Sequence, residues 1–140
     1  MAAIQVDIVS AEGQIHHGEA AMVFAPAQEG EVGIAPRHAP FLTYLKAGEV
    51  RVKTLGGEEL HFFVGGGILE VQPQSVTVLA DTALRAHDAD EAAAEEARRG
   101  AEEKLANAKG DMDLARAQAE LVQAAALVQF IKKIKGQTHL

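Results

Sequence analysis

The chain changes its periodicity once. Up to about Leu84 apolar residues recur at every second position, whereas no proline occurs between Asp88 and Ile134 and alanine dominates there. Side chains alternate faces along a strand and return about every 3.6 residues along a helix, so the two halves cannot share one architecture. The sequence predicts a β unit over residues 1–86 and a two-helix unit over residues 87–140.

In the first half Ile4, Val6 and Ile8 alternate with Gln5 and Asp7. Leu60, Phe62 and Val64 alternate with Glu59, His61 and Phe63, and Val76 and Val78 flank Thr77. These read as half-buried strands of ordinary length. Glycines and all four prolines punctuate them. "LGGEEL" predicts a tight hairpin between "EVRVKTL" and "ELHFFVG". Many short strands at close spacing predict a sandwich or flattened barrel. With one tyrosine, five phenylalanines and no tryptophan, its core must be aliphatic, and a small aliphatic core is only marginally stable alone.

In the second half, Asp88 followed three residues later by Glu91 resembles a capping box. A helix over about residues 90–106 follows. "NAKGD" breaks it, with Gly110 suited to a left-handed turn and Asp111 to a cap. The second helix spans about residues 112–135. Its apolar stripe joins Leu114, Leu121 and Val128 to Ala117, Ala124 and Ile131. The stripe predicted on the first helix is Ala89, Ala93, Ala97, Ala101 and Leu105. So short a connection predicts antiparallel packing. Burying an alanine methyl gains about 0.8 kcal/mol, against about 1.5–3 for a leucine. The helices are therefore individually favoured while their docking is weak, and such a hairpin can open.

Several function classes drop out. A net charge of −7 argues against nucleic acid, whose binding rests on lysine and arginine at phosphates. Without cysteine there are no disulfides and no thiolate metal sites. The N-terminal "MAAIQVDIVSAEGQ" lacks the basic flank of a signal peptide. The longest apolar run, "LVQAAALVQFI", is too short to span a bilayer. There is no P-loop, and "GGGILEV" runs into a strand where anion binding would need a helix N-terminus. Ser10 and Ser75 lie outside any nucleophile elbow. The glutamate pairs at 58–59, 95–96 and 102–103 read as solvated faces. A small metalloenzyme using His16, His38 and His61 is the rival from the enzyme class. It lacks ligand spacing, because neighbours such as His16 and His17 point to opposite faces of a strand. His87 and His139 read as solvated.

Two features survive. In "EGEVGIAPRHAPFLTYLKAG", Pro36 and Pro40 stiffen the backbone that displays Glu29, Glu31, Arg37 and His38. A rigid polar display loses little entropy on docking to a protein. The C-terminal helix is the other. Residues 88–113 hold nine acids and four bases, whereas beyond Leu127 stand Lys132, Lys133 and Lys135 with no acid. Lysines in a last turn suit the helix dipole; alternatively they meet an acidic partner.

"VSAEGQIHHGEA", "EGEVGIAPRHAPFLTYLKAGEVRV", "GGGILEVQPQSVTVLADTALR" and the alanine-rich hairpin together resemble the epsilon subunit family of bacterial F-type ATP synthase. The resemblance covers nearly the whole chain in order. It implies a ten-stranded N-terminal β-sandwich and a C-terminal antiparallel helical hairpin, without catalytic residues, metal or cofactor. It further implies a central-stalk subunit that binds the gamma subunit and the membrane ring of c subunits, and turns with them as proton flow drives ATP synthesis. In an extended state the hairpin meets the alpha and beta subunits and inhibits ATP hydrolysis. The implied location is peripheral, on the cytoplasmic side of the cell inner membrane, through the complex only. By position, Glu29, Glu31, Arg37, His38 and Pro40 would meet the c-ring. Leu42, Thr43, Thr77 and Val78 would meet gamma. Lys132, Lys133 and Lys135 would meet beta. Some members bind ATP through an Ile/Leu-Asp-x-x-Arg-Ala motif opening the first helix. Here the run is Ala89-Asp90-Glu91-Ala92-Ala93-Ala94, so Ala93 replaces the arginine. Asp90, Arg98 and Arg99 remain as a weak nucleotide site, and weak or absent ATP binding is expected.

Overall fold

Eight strands occupy the first half: β1 (Ile4–Ser10), β2 (Gly13–Ala20), β3 (Met22–Ala27), β4 (Gly30–Ile34), β5 (Phe41–Lys53), β6 (Glu59–Gln72), β7 (Ser75–Ala80) and β8 (Ala83–Arg85). The second half holds α1 (Glu91–Ala106) and α2 (Asp111–Thr138). The computed structural model describes residues 2–138, without the side chains of 137 and 138; His139 lies outside the described residues. The chain divides into two compact units, residues 1–86 and 87–140.

The strands run in the order β2-β1-β7-β6-β5-β3-β4, with β8 beside β6. Neighbours pair antiparallel except β1 and β7, which are parallel. The alternating sequence sorts itself as the pleat requires: Ile4, Val6 and Ile8 are fully buried, as are Val76 and Val78, while Gln5, Asp7 and Thr77 lie on the other face. The core also takes Val23, Ile34, Leu45, Val50, Val52, Phe62, Val64, Leu69 and Val71. It is aliphatic apart from Phe62.

Two long strands hold the sandwich together. Residues 67–72 of β6 pair with β7, and residues 62–64 pair with β8. The change of direction falls at Gly65-Gly66-Gly67, where Gly66 has φ 112° and Gly67 φ 141°. A Cβ on Gly67 would stand 2.1 Å from the Leu79 carbonyl oxygen and 2.8 Å from Ala80 Cα, so only glycine fits the bend. β5 follows β6 through it, with Leu45 opposite Gly67 and Ala47 opposite Gly65. This corrects the expected count of ten strands to eight. The β5–β6 register carries across the corner, missing only the Lys46–Gly66 position, so each long strand serves both layers as one strand. The turn between them closes as expected at "LGGEEL", with the Thr54 N–H donating to the Glu58 carbonyl at 2.8 Å.

The helices need three corrections. The cap of α1 is Asp90, not Asp88: its carboxylate accepts from the N–H groups of Ala92 and Ala93, and Asp88 lies in a preceding 3₁₀ turn. Asp111 is the first residue of α2 rather than the residue before it. The Leu114 N–H already reaches the Gly110 carbonyl, and it is Asp113 whose carboxylate accepts from the Lys109 N–H. On α1 the buried alanines are Ala94 and Ala101, whereas Ala93 and Ala97 are exposed. A strict four-residue row drifts about 40° per step around a helix, so only alternating steps of three and four hold one face. On α2, Ala117, Val128 and Ile131 are buried and Leu121 and Ala124 half-buried, while Leu114 remains exposed. The helices lie antiparallel, as ion pairs between opposite ends demonstrate: Glu91–Lys135 at 2.7 Å and Glu95–Lys132 at 3.7 Å near one end, Lys104–Glu120 at 3.2 Å nearer the other.

Candidate functional site

The segment from Glu29 to Pro40 is only partly a loop. Its middle is β4, hydrogen-bonded to β3 through a turn at Gln28-Glu29. Glu29 is exposed in that turn. Glu31, on the edge strand, reaches across to Arg51 of β5 at 3.2 Å. Arg51 also lies 4.3 Å above the Phe24 ring and within 3.9 Å of Glu49 and 3.7 Å of Glu59. His61 bonds Glu49 at 2.8 Å. Glu31 is thus the outer member of a charge network spanning β4, β5 and β6, which is also where His61 belongs.

After β4 the chain turns sharply. The His38 N–H donates to the Ala35 carbonyl at 3.2 Å, and the Arg37 N–H donates to the Pro73 carbonyl at 2.8 Å. The turn is thereby fastened to the β6–β7 connection. His38 Nδ1 donates to its neighbour's carbonyl, Ala39, at 2.7 Å, with its ring 6.2 Å from that of Phe41. Arg37, Ala39 and Pro40 are exposed.

A second surface lies on the outer face of the layer containing β7. Register sets Tyr44 opposite Ile68, and Ile68 opposite Leu79; one row over, Leu42 faces Glu70 and Glu70 faces Thr77. Leu42 is 68% exposed and Tyr44 64% on β5, and Leu79 is 49% exposed on β7, so large apolar side chains stand in solvent on either side of β6. Val78 is fully buried and Thr43 points to the opposite face from Leu42 and Tyr44. The side chains available to a partner here are therefore Leu42, Tyr44, Glu70, Thr77 and Leu79. Period two would have found Tyr44 and Leu79 from the sequence, since each stands two residues from a position already singled out.

In the helical unit Lys132, Lys133 and Lys135 are all exposed, and Lys132 and Lys135 pair with Glu95 and Glu91 of α1. Asp90 spends its carboxylate on the helix cap, and Arg98 pairs with Glu95 at 2.7 Å. An open hollow of about 590 Å³ between the helices is lined by Lys104, Asn107, Asp113, Arg116 and Glu120 among others, and by none of Asp90, Arg98 and Arg99.

The metalloenzyme set is likewise dispersed. His16 packs against the Phe62 ring at 5.1 Å, His38 sits in the turn and His61 in the charge network. Among the described residues no three histidine or carboxylate side chains are grouped to hold an ion. Burial pushes the pKa of His16 down, helped by the positive charge of Arg85 and by His17 and opposed by Asp7. His17 is itself hydrogen-bonded to Asp7 across the β1–β2 pair.

Residues 3–86 match the family model of the ATP synthase delta/epsilon chain β-sandwich domain, and residues 88–132 match that of its long α-helix domain. The chain belongs to the ATP synthase delta/epsilon chain family. It is 59% identical over 135 residues to the ATP synthase epsilon chain of Alkalilimnicola ehrlichii, covering 96% of each. It is 59% identical over 132 residues to ATP synthase epsilon chain 1 of Methylococcus capsulatus, covering 94% of each. The fold recurs in a chain of the Euglena gracilis mitochondrial ATP synthase, with a TM-score of 0.77 at 19% identity over 91% of this chain and 80% of that one. It recurs too in the Tetrahymena thermophila mitochondrial enzyme's central stalk and c-ring structure, with a TM-score of 0.63 at 14% identity over 94% and 95% of the two chains. Among the described residues of this family member, no helix is long and apolar enough to cross a membrane.

Proposed function

We propose that the chain is the epsilon-type subunit of a proton-translocating ATP synthase, a central-stalk component with no active site of its own. It couples rotation of the c-ring to ATP synthesis together with gamma, at the cytoplasmic face of the inner membrane. The observation that carries this reading is the exposed apolar group Leu42, Tyr44 and Leu79, with Ile68 between the last two, on one face of the hydrogen-bonded sheet. Contiguous apolar surface of this kind marks a protein interface. We assign it to gamma, and the turn bearing Arg37, His38 and Pro40, with Glu29 and Glu31, to the polar rim of the c-ring. The names of the relatives and the central-stalk setting of a structural neighbour support the assignment.

The helical unit is the regulatory part. Lys132, Lys133 and Lys135 meet acidic surface on beta when the hairpin extends along gamma between alpha and beta, and hydrolysis is then inhibited. Alanine at position 93, and the engagement of Asp90 in the helix cap and of Arg98 with Glu95, support hairpin control without tight ATP binding.

The test is capture of the tagged chain from the native host's membranes. Recovery of a gamma-like subunit together with the c-ring is expected. Recovery of neither refutes the reading. In the assembled enzyme, replacing the three lysines by glutamine is expected to relieve inhibition of hydrolysis.

A further inference from the structure

Arg37 stands where the turn chemistry asks for glycine. Residues 35–38 form a β-turn with Pro36 at its second position and Arg37 at its third, with φ 69°. A turn of this type needs positive φ at the third position, which glycine or asparagine adopts at little cost. Arg37 is the only non-glycine residue with positive φ among the described residues. The fold explains the backbone: the Arg37 N–H holds the turn to Pro73 at 2.8 Å, and glycine would supply the same donor. The fold does not explain the side chain. It is exposed, and among the described residues its guanidinium has no ion-pair or hydrogen-bond partner.

The neighbouring polar groups are already committed. Glu31 is paired with Arg51 at 3.2 Å, and His38 Nδ1 donates to Ala39 at 2.7 Å. What the turn offers a partner is therefore one uncompensated, permanent cation, on a chain whose net charge is −7. A strained residue kept in place by its surroundings is a pointer to function. A planar guanidinium with five donors recognises a carboxylate through two parallel hydrogen bonds.

We infer that Arg37 is a specificity residue of this docking face, held in an unfavourable backbone conformation so that its guanidinium receives a carboxylate on the polar rim of the c-subunit ring. The inference rests on the proposed seating of this turn on that ring and adds the chemistry of the contact.

The experiment measures binding of the full chain, carried on gamma, to the detergent-solubilised c-ring, with melting of each variant alongside. Arg37→Gly is expected to fold at least as stably as Arg37→Ala, because it relieves the strain that alanine keeps. Both are expected to bind the ring about tenfold to a hundredfold more weakly, the loss of a charge-assisted contact. Arg37→Glu should bind more weakly still, and Arg37→Lys should retain part of the affinity with a steeper salt dependence. Undiminished binding by Arg37→Gly overturns the inference alone, as does binding by Arg37→Glu equal to that by Arg37→Gly. If the parent chain on gamma fails to bind the ring, the proposed seating falls and the inference with it.

Discussion

Gly67 is the position where one added methyl group should do most damage. Replacing it by alanine places a Cβ 2.1 Å from the Leu79 carbonyl oxygen and 2.8 Å from Ala80 Cα. Both are backbone atoms of the paired strand, so no side chain can swing aside. The backbone itself is held at φ 141°, which an L-residue adopts at a cost of about 1–3 kcal/mol. Clearing the overlap means prising apart the Gly67–Ala80 end of the β6–β7 ladder, with loss of at least one buried hydrogen bond at about 1–3 kcal/mol. The sum is roughly 2–6 kcal/mol, against roughly 5–15 for a whole domain. At about 4–8 °C per kcal/mol for a unit of this size, the β unit should melt at least about 8 °C lower. Calorimetry of the whole chain is the suitable assay, because it can resolve the β transition from the helical one. Gly57→Ala is the control: φ there is 90°, with nothing within 4 Å of the added Cβ, so it pays the strain without the overlap. Equal melting of the two variants would refute the steric argument, and a Gly67→Ala variant as stable as the parent would refute the whole account of the bend.

Tyr44→Ala with Leu79→Ser is expected to weaken gamma binding at least tenfold while leaving the melting temperature nearly unchanged, since both side chains are exposed; titration calorimetry against gamma and a thermal melt check this. Glu91→Gln with Glu95→Gln removes the Glu91–Lys135 and Glu95–Lys132 ion pairs between the helices. The hairpin should lose about 0.2–1 kcal/mol per pair, less at high salt, and inhibition of hydrolysis by the assembled enzyme should deepen. For His16 the folded pKa lies below its ordinary value, so the unfolded chain binds more protons in the window between them. Its contribution is intact above the unfolded pKa near 6.5 and is lost as pH falls through that window; a stability–pH curve should show this slope, and His16→Phe should flatten it.

Strand positions were legible wherever burial alternated, because one side of each layer is wholly core. Ile4, Val6, Ile8, Val76 and Val78 needed nothing beyond period two. The bend at Gly65–Gly67 was visible as composition but not as geometry: three glycines mark a close approach without saying which backbone approaches. The face of α1 was misjudged because alanine is tolerated on every side of a helix, so alanine spacing carries little information about burial; Ala94 and Ala101 are distinguished only by their partner helix. The turn at residues 35–38 was legible from its prolines, Pro36 and Pro40. The neutralisation of Glu31 by Arg51 was not, since the two are twenty residues apart and meet only through β3 pairing with both β4 and β5.

The pairing of the tail lysines bears on how a hairpin of this kind can act as a switch. In the closed hairpin Lys132 and Lys135 pair with Glu95 and Glu91, which offsets part of the charge they could present to the proposed acidic partner. Closure of the hairpin and engagement of the partner therefore compete for the same ammonium groups. The competition sets a scale. Reversing a two-state population from one per cent to ninety-nine requires about 5.5 kcal/mol of differential binding. Two exposed ion pairs contribute together about 0.4–2 kcal/mol, and seams built on alanines such as Ala94, Ala101 and Ala117 add about 0.8 kcal/mol for each buried methyl. The ion pairs alone cannot throw the switch, but they are large enough to bias one whose two states already lie within a few kcal/mol. Shortening the apolar side chains of α2 should then shift the balance more than removing the lysines' partners does. Val128→Ala, which trims a buried side chain without touching any charge, should open the hairpin more than Glu95→Gln. Hydrogen exchange along α1 reads that opening directly, and faster exchange in Glu95→Gln than in Val128→Ala would show that charge, not packing, holds the pair closed.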